Sequence, residues 1–366
     1  MEATKPRDGP RLLGIVVAAN PVYAVSTKAH TPKSPLRRLE HRFFWADADR
    51  WSPLRGLCRA AAIVCALLLG SAGLRAASPG DGRIPIVLDT DIGTDIDDAF
   101  ALALIMKSPE LDLLGVTTVA GDTRARARLA AKLLWAAGGR WRDVPVFAGE
   151  PGPAQPIEQA KWAEGFSGPS LHLDGAVPYL RSVIHGRPGA VTIVAIGELT
   201  NIAALLRSDP SIKGDIRQIA LMGGSVARGY DPGSPPQPEW NIRSNIPAAR
   251  EVFDSGIPLI VAPLDVTMML KLDPAGRQRV FGQATSVADA LAVLYRLWGK
   301  DTPTLFDPMA VAMLVDPGIC RSEHCALSVD ARGMTVVVPG RPANAVVGLE
   351  VDPAAFFAFY LGRVAP

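Results

Sequence analysis

The stretch Ile84-Pro-Ile-Val-Leu-Asp89-Thr-Asp91-Ile-Gly-Thr-Asp95-Ile-Asp97-Asp98-Ala-Phe-Ala-Leu-Ala-Leu-Ile-Met106 decides how this chain folds and where its chemistry sits. Residues 84–88 are a short apolar run of the kind that fills the middle of a parallel sheet. Residues 99–106 are mostly strong helix formers. Between them, five carboxylates fall within ten residues. The acids therefore occupy a turn that leaves the carboxyl end of a strand and enters a helix, which is where open α/β sheets collect ligands. Like charges this close are costly unless a cation neutralises them. All-oxygen donors favour a hard ion such as calcium or magnesium over zinc. Asp95 or Asp97 alone could cap the helix; a cap accounts for one carboxylate and leaves four.

Downstream, strands are expected over residues 84–88, 111–119, 144–147, 190–196, 216–222 and 258–262. Helices are expected over 97–106, 124–137, 177–185, 201–206, 248–254 and 284–298. Such alternation implies an α/β fold with a mostly parallel central sheet flanked by helices. Residues 326–338 and 345–349 read as an antiparallel pair, a small C-terminal addition. Asp352 and Pro353 then open a last helix as N-cap and first-turn proline. Two long Gly/Pro-rich stretches, 151–173 and 228–238, read as loops, which at this length often serve as lids. Asp89 to Asp98, Gly121-Asp122, Gly197 to Asn201 and Gly223-Gly224 each follow an expected strand, so all belong to one sheet edge. Neither G-x-x-x-x-G-K nor G-x-G-x-x-G occurs, so these turns are not expected to cradle phosphate.

Charge divides the chain. Residues 1–79 carry a net +7 and residues 80–366 a net −5, within a total of +2. The body therefore lacks the electrostatic footprint of a nucleic-acid binder. Its 287 residues suit one catalytic α/β domain, spanning 80–366. In the leader, residues 1–79, Arg55 and Arg59 flank an uncharged apolar run from 60 to 74, followed by the small residues Ala76, Ala77 and Ser78. That is the three-part pattern of a secretory signal over about 55–77. It is too short for a membrane span of about 20 residues, so no stable membrane anchor is expected. Periplasmic or secreted localisation follows, or a cytoplasmic one if the leader is not read as a signal. Roughly fifty residues of Pro-, Arg- and His-rich sequence precede the signal and read as disordered, or as lying before the true start of translation. An uncleaved anchor and an apolar helix without targeting role are the competing readings. Cys320 and Cys325 are the only cysteines of the body; their C-x4-C spacing allows a short disulfide loop or two free thiols.

The string from Asp89 to Leu102 resembles the amino-terminal signature of the inosine-uridine-preferring nucleoside hydrolases, calcium-dependent enzymes that cleave the N-glycosidic bond of ribonucleosides. Further matches follow in that family's order: Thr117-Thr-Val-Ala-Gly121, Gly197-Glu-Leu-Thr-Asn-Ile-Ala203, Leu221-Met-Gly-Gly224, Glu239-Trp-Asn241 and Asp307-Pro308. They run from about residue 84 to the C-terminus. The resemblance implies Ca2+ held by Asp91, Asp98, Asp307 and the main-chain oxygen of Ile196, with Asp91 also the general base towards water. It implies that Asp97 accepts hydrogen bonds from the ribose 2′- and 3′-hydroxyls. Glu239 and Asn241 would hold the sugar on its other side, with Met222 packed against it. Asp307, followed by Pro, fits a helix N-cap equally well.

Three positions depart from the family pattern. Asp122 stands near the sugar where well-known members have Asn. Phe306 stands where a subset has a His thought to protonate the departing base, and Phe transfers no proton. Arg228-Gly-Tyr230-Asp231 occupies the neighbourhood of another expected Asn. His172, beside the first long loop, is the remaining candidate for a leaving-group acid. The expected partner is a small nucleoside; association with further copies of the chain is left open. Two other functions compete: a non-catalytic nucleoside- or ribose-binding protein on the same scaffold, and a magnesium phosphotransferase using Asp89-Thr-Asp91. The latter pattern would want Thr or Val where Gly93 stands, and it leaves Asp97 and Asp98 without a role.

Overall fold

Strand β1 (Ile84–Thr90) lies at the middle of the molecule because both its faces are apolar. Ile86 and Leu88 enter one core and Val87 the other, the period-two alternation of a strand. The structure, a computed structural model, describes residues 82–366; the expected leader and its signal lie outside the described residues. On one side of β1 stand β2 (Leu111–Thr118), β3 (Val146–Ala148) and β4 (Leu171–His172). On the other stand β5 (Val191–Ala195), β6 (Ile216–Met222) and β7 (Leu259–Ala262). All seven pair in parallel. The chain leaves β1 for β2 on one side and reaches β5 on the other, so a crevice opens at the carboxyl ends of β1 and β5. In register, Asp89 stands opposite Thr117 on β2 and Ala195 on β5.

The C-terminal part supplies β8 (Cys320–Cys325), β9 (Leu327–Val329), β10 (Thr335–Val337) and β11 (Ala345–Val351). Here the structure corrects the expected pairing of 326–338 with 345–349. Residues 327–337 fold back on themselves as the antiparallel hairpin β9–β10. The reason is local: Asp330 Oδ1 accepts hydrogen bonds from the N–H groups of Arg332 (2.8 Å) and Met334 (2.9 Å), which closes a turn in the middle of the run. β11 joins the main sheet instead, parallel to β7 and antiparallel to β8. That makes nine strands in the main sheet and two in the small one. Cys320 and Cys325 are free thiols at opposite ends of β8; at ~3.3 Å per residue they stand ~17 Å apart, beyond disulfide reach.

Helices cover both faces. One core is built on α1 (Asp97–Met106) and α2 (Thr123–Ala137), with Phe100 and Leu133 buried in it. The opposite core takes α3 (Ala176–His185), α4 (Thr200–Ser208) and, beyond the short α5 (Trp240–Ser244), α6 (Ile246–Phe253); Leu180, Leu205 and Phe253 fill it. The first core is completed by α7 (Leu264–Thr267), α8 (Pro274–Phe281), α9 (Ser286–Trp298), α10 (Phe306–Val315) and α11 (Pro353–Val364). All ten residues of α1 are buried, which explains why its sequence is apolar all round rather than striped. Tyr360 on α11 donates from its hydroxyl to the Phe100 carbonyl at 3.2 Å, tying the last helix to α1. Asp352 caps α11 as expected, accepting from the Ala354 N–H at 2.9 Å.

Candidate active site

At the end of β1 the chain turns sharply, and Thr90 organises the turn. Its hydroxyl accepts from the Ile92 N–H at 3.1 Å and donates to Asp98 Oδ1. Gly197, directly after β5 and Ile196, allows the close approach that the turn needs: a Cβ there would lie 3.0 Å from the Asp91 nitrogen and 3.1 Å from its Cβ. Asp97 and Asp98 occupy the first turn of α1, whose N-cap position is Ile96 with no side-chain cap. Neither Asp95 nor Asp97 caps that helix. The first-turn carboxylates do gain from the helix dipole, an effect that fades beyond the first turn. Asp307 likewise sits inside the first turn of α10, not at its N-cap, which is Leu305. Its N–H donates to Asp97 Oδ2 at 3.3 Å.

Asp97, Asp98 and Asp307 are buried, and one oxygen of each lies within 4.8 Å of the others. Burial pushes all three carboxyls well above the usual range, and neighbouring charges add to it: Asp95 and Asp91 at Asp97, Asp91 and Asp97 at Asp98, and Asp97, Asp98 and Asp91 at Asp307. Asp91 is pushed up to about 6, first by burial, although the nearby Arg126 cation opposes the rise. Three buried acids with oxygens within 4.8 Å of one another fit a hard divalent cation, which supplies the charge they lack and takes oxygen donors. Ile196 lines the same cavity as these acids; its carbonyl accepts from Asn241 Nδ2 at 3.2 Å and keeps a second lone pair. The tight carboxylate trio thus contains Asp97 beside Asp98 and Asp307, while Asp91 stands next to it.

These groups line a cavity of about 440 Å³ at the switch point of the sheet, a size usual for small-molecule sites. Asp91, Asp97, Asp98 and Asp307 line it, with Ile196. Met222, Glu239 and Asn241 line it as well. Glu239 is the N-cap of α5 and accepts from the N–H groups of Asn241 (3.0 Å), Ile242 (3.2 Å) and Gly224 (3.1 Å). Burial nevertheless pushes it up to about 7. Asn241 Nδ2 also donates to the Met222 carbonyl at 3.2 Å, so the Glu239-Trp-Asn241 motif locks β5, β6 and α5 together.

Two expected site residues lie elsewhere. Asp122 is exposed and caps α2, accepting from the Ala125 N–H at 3.0 Å; it does not line the cavity. A short acid after Gly121 makes a good N-cap, and capping turns its carboxylate outward. His172 sits on the edge strand β4, stacked on Phe147 at 4.2 Å, also away from the cavity. Conversely, Thr94, Asp95, Tyr230, Trp240 and Arg243 line the cavity together with Phe306. Sequence reasoning counted Asp95 in the acidic cluster without a role of its own and gave Thr94, Trp240 and Arg243 no part in the site. The one usable signal was the second long loop, which brings Tyr230 to the cavity; its hydroxyl accepts from the Trp240 N–H at 2.7 Å. Arg243 stacks on Trp240 with 4.9 Å from guanidinium carbon to ring centre.

Behind the cavity, Asp89 accepts from Thr117 Oγ1 at 2.6 Å and Asn201 Nδ2 at 2.8 Å, while its Oδ2 is buried without a partner. Burial pushes it up to about 7. It binds β2 and α4 to the end of β1 and does not reach the cavity.

A mostly parallel sheet with a buried carboxylate trio beside a small-molecule cavity at its switch point is an α/β architecture whose acids are placed to hold a cation. The family described as inosine-uridine preferring nucleoside hydrolase matches residues 86–358. A protein of Salmonella agona named non-specific ribonucleoside hydrolase RihC is 36% identical over 298 residues, covering 74% of this chain and 94% of that protein. Its namesake in Klebsiella pneumoniae subsp. pneumoniae is 35% identical over 301 residues, covering 75% and 96%. Among solved structures, the purine-preferring ribonucleoside hydrolase from Gardnerella vaginalis superposes with a TM-score of 0.66 at 25% identity, covering 77% of this chain and 98% of that one. The chain belongs to the inosine-uridine preferring nucleoside hydrolase family, and is an N-glycosidic hydrolase by class.

Proposed function

We propose that this protein hydrolyses ribonucleosides to free base and ribose with calcium as cofactor, after export from the cytoplasm. The observation that carries the reading is the trio Asp97, Asp98 and Asp307, buried within 4.8 Å of one another in the wall of a cavity that Glu239 and Asn241 also line. Calcium held by Asp91, Asp98, Asp307 and the main-chain oxygen of Ile196 would lower the pKa of a nearby water and fix its position. Asp91, beside the cation, takes the proton from that water. The water oxygen bonds to C1′, the C1′–N bond breaks, and its electron pair leaves with the base through an oxocarbenium-like transition state. Asp97 accepts hydrogen bonds from the 2′- and 3′-hydroxyls, while Glu239, Asn241 and Met222 hold the other face of the sugar. Phe306 offers no proton, so help for the departing base is weak and bases that leave readily are favoured.

The test compares kcat/KM for p-nitrophenyl riboside, inosine, uridine and their 2′-deoxy forms, with calcium and with a chelator. Expected are p-nitrophenyl riboside as the best substrate and loss of activity on chelation. Deoxyribo forms should be slower by at least about tenfold, the cost of leaving a buried acceptor unpaired. Equal rates for ribo and deoxyribo substrates remove Asp97 from this role. Binding of nucleoside and calcium without any turnover makes the protein a binding protein on the same scaffold. Export rests on the basic flank, apolar core and small-residue exit of residues 55–77. N-terminal sequencing from the native host should find a mature chain starting just after Ala76 or Ala77; a cytoplasmic chain starting at Met1 refutes it.

A further inference from the structure

Arg126 has no part in the chemistry above, yet it heads the fully buried side chains by volume. A guanidinium has five N–H donors, and here five hydrogen bonds use them. Nε donates to the Ala120 carbonyl at 2.8 Å. Nη1 donates to the carbonyls of Asp91 and Ile92, the latter at 3.0 Å. Nη2 donates to Thr94 Oγ1 at 3.0 Å and to Gln155 Oε1 at 3.1 Å. None of the five acceptors is a carboxylate. A charge buried against neutral main-chain and amide oxygens, close to a cluster of acids it does not touch, is a costly device for mere packing.

Those acceptors belong to three segments: the acidic turn (Asp91, Ile92, Thr94), the turn after β2, and the first long loop (Gln155). Ala120 in the second segment has φ +67°, a left-handed conformation that a non-glycine residue holds only under constraint. The loop is joined to the acidic turn at further points. Thr94 Oγ1 donates to the Pro156 carbonyl at 3.0 Å, the Gln159 N–H to the Gly93 carbonyl at 3.3 Å, and Gln159 Nε2 to the Asp95 carbonyl.

We propose that Arg126 is a positioning residue: it fixes the main chain of the acidic turn in the shape that points its carboxylates at a cation, and couples residues 151–159 to cation binding. The coupling rests on the calcium reading of the acidic turn. By reciprocity, whatever orders the turn orders the loop, and the converse.

Arg126→Lys keeps the charge but concentrates its donors on one nitrogen, which cannot reach five acceptors on three segments. Calorimetry should find calcium affinity reduced at least tenfold, and kcat for p-nitrophenyl riboside reduced at least tenfold at saturating calcium with KM changed less than threefold. Hydrogen exchange of residues 151–163 should slow on adding calcium to the unaltered protein and not to the variant. Gln155→Ala removes one acceptor from outside the turn and should cost three- to tenfold in calcium affinity; it decides the matter if Arg126→Lys does not fold. A merely structural role would lower the melting temperature and leave the calcium affinity of the folded protein unchanged. Unaltered calcium affinity and loop exchange in both variants overturns the proposal. An unaltered protein that binds no calcium overturns the coupling together with the functional reading, a result distinct from variants that match it.

Discussion

Asp98 is the residue on which the cation reading turns. It receives the Thr90 hydroxyl, faces Asp97 and Asp307, and has its carboxyl pushed up by burial first and by Asp91 next. Removing it relieves repulsion among the remaining acids, so the empty protein should not suffer. Removing a ligand from an oxygen cage does reduce affinity for the ion. Asp98→Ala is therefore expected to lose calcium binding in calorimetry while its calcium-free melting temperature stays equal or rises. Full calcium affinity in that variant would show that Asp98 is no ligand. Asp97 differs because its Oδ2 already accepts the Asp307 N–H. Asp97→Asn keeps the size of the side chain but gives up a carboxylate acceptor, and should cost more in kcat/KM for ribosides than for 2′-deoxyribosides.

At the scale of elements, the approach of β1 to β5 sets where the acidic turn lies. Gly197→Ala would put a Cβ 2.8 Å from Val119 Cγ1, 3.0 Å from the Asp91 nitrogen and 3.1 Å from its Cβ. Two of those atoms belong to the turn itself, so relief must come from moving Asp91. Overpacking of this kind costs about 1–3 kcal/mol, readable as a lowered urea midpoint accompanied by weaker calcium binding. An unchanged midpoint with unchanged affinity would mean that the turn yields freely. The same elements show what a sequence conveys. β6 and α1 run over the expected residues because each is a mostly apolar run bounded by polar or glycine residues. The hairpin at 327–337 was read as one strand because the Asp330 turn that breaks it lies inside a run rich in strand formers. Within the site, the gathering of Asp91, Asp97 and Asp98 was legible because acids rarely crowd one turn without a purpose, whereas Asp307 was expected only from the family resemblance. Trp240, Arg243 and Arg126 were not legible: an aromatic residue or a lone arginine reads as ordinary surface or packing until the fold brings three segments around it.

The whole molecule carries an electrostatic debt that depends on pH. Asp89 and Glu239 are pushed up to about 7 and Asp91 to about 6, by burial in each case, from ordinary values of 3.8 and 4.5. Between about pH 4 and pH 7 the folded, calcium-free protein therefore holds more protons than the unfolded chain. Stability falls with rising pH wherever the folded state holds more protons, so these acids favour folding below pH 4 and lose that contribution as pH climbs through 6 and 7. His185 acts in the same direction, since Asp209 at 2.6 Å and Asp215 at 2.8 Å raise its pKa. That triad is at the surface, and salt screens it, whereas the buried acids are screened much less. Measured with a chelator in high salt, the melting temperature should thus be lower at pH 8 than at pH 5.5 by several degrees. Calcium should narrow this difference because it binds the folded state alone and competes with the protons on Asp91, Asp98 and Asp307, though not on Asp89 or Glu239. The rise in melting temperature on adding calcium should accordingly grow from pH 5.5 to pH 8. A calcium-free protein more stable at pH 8 than at pH 5.5 would show that the buried acids are neutralised from within the chain, and the case for a divalent cation held by Asp91, Asp98 and Asp307 would lose its physical ground.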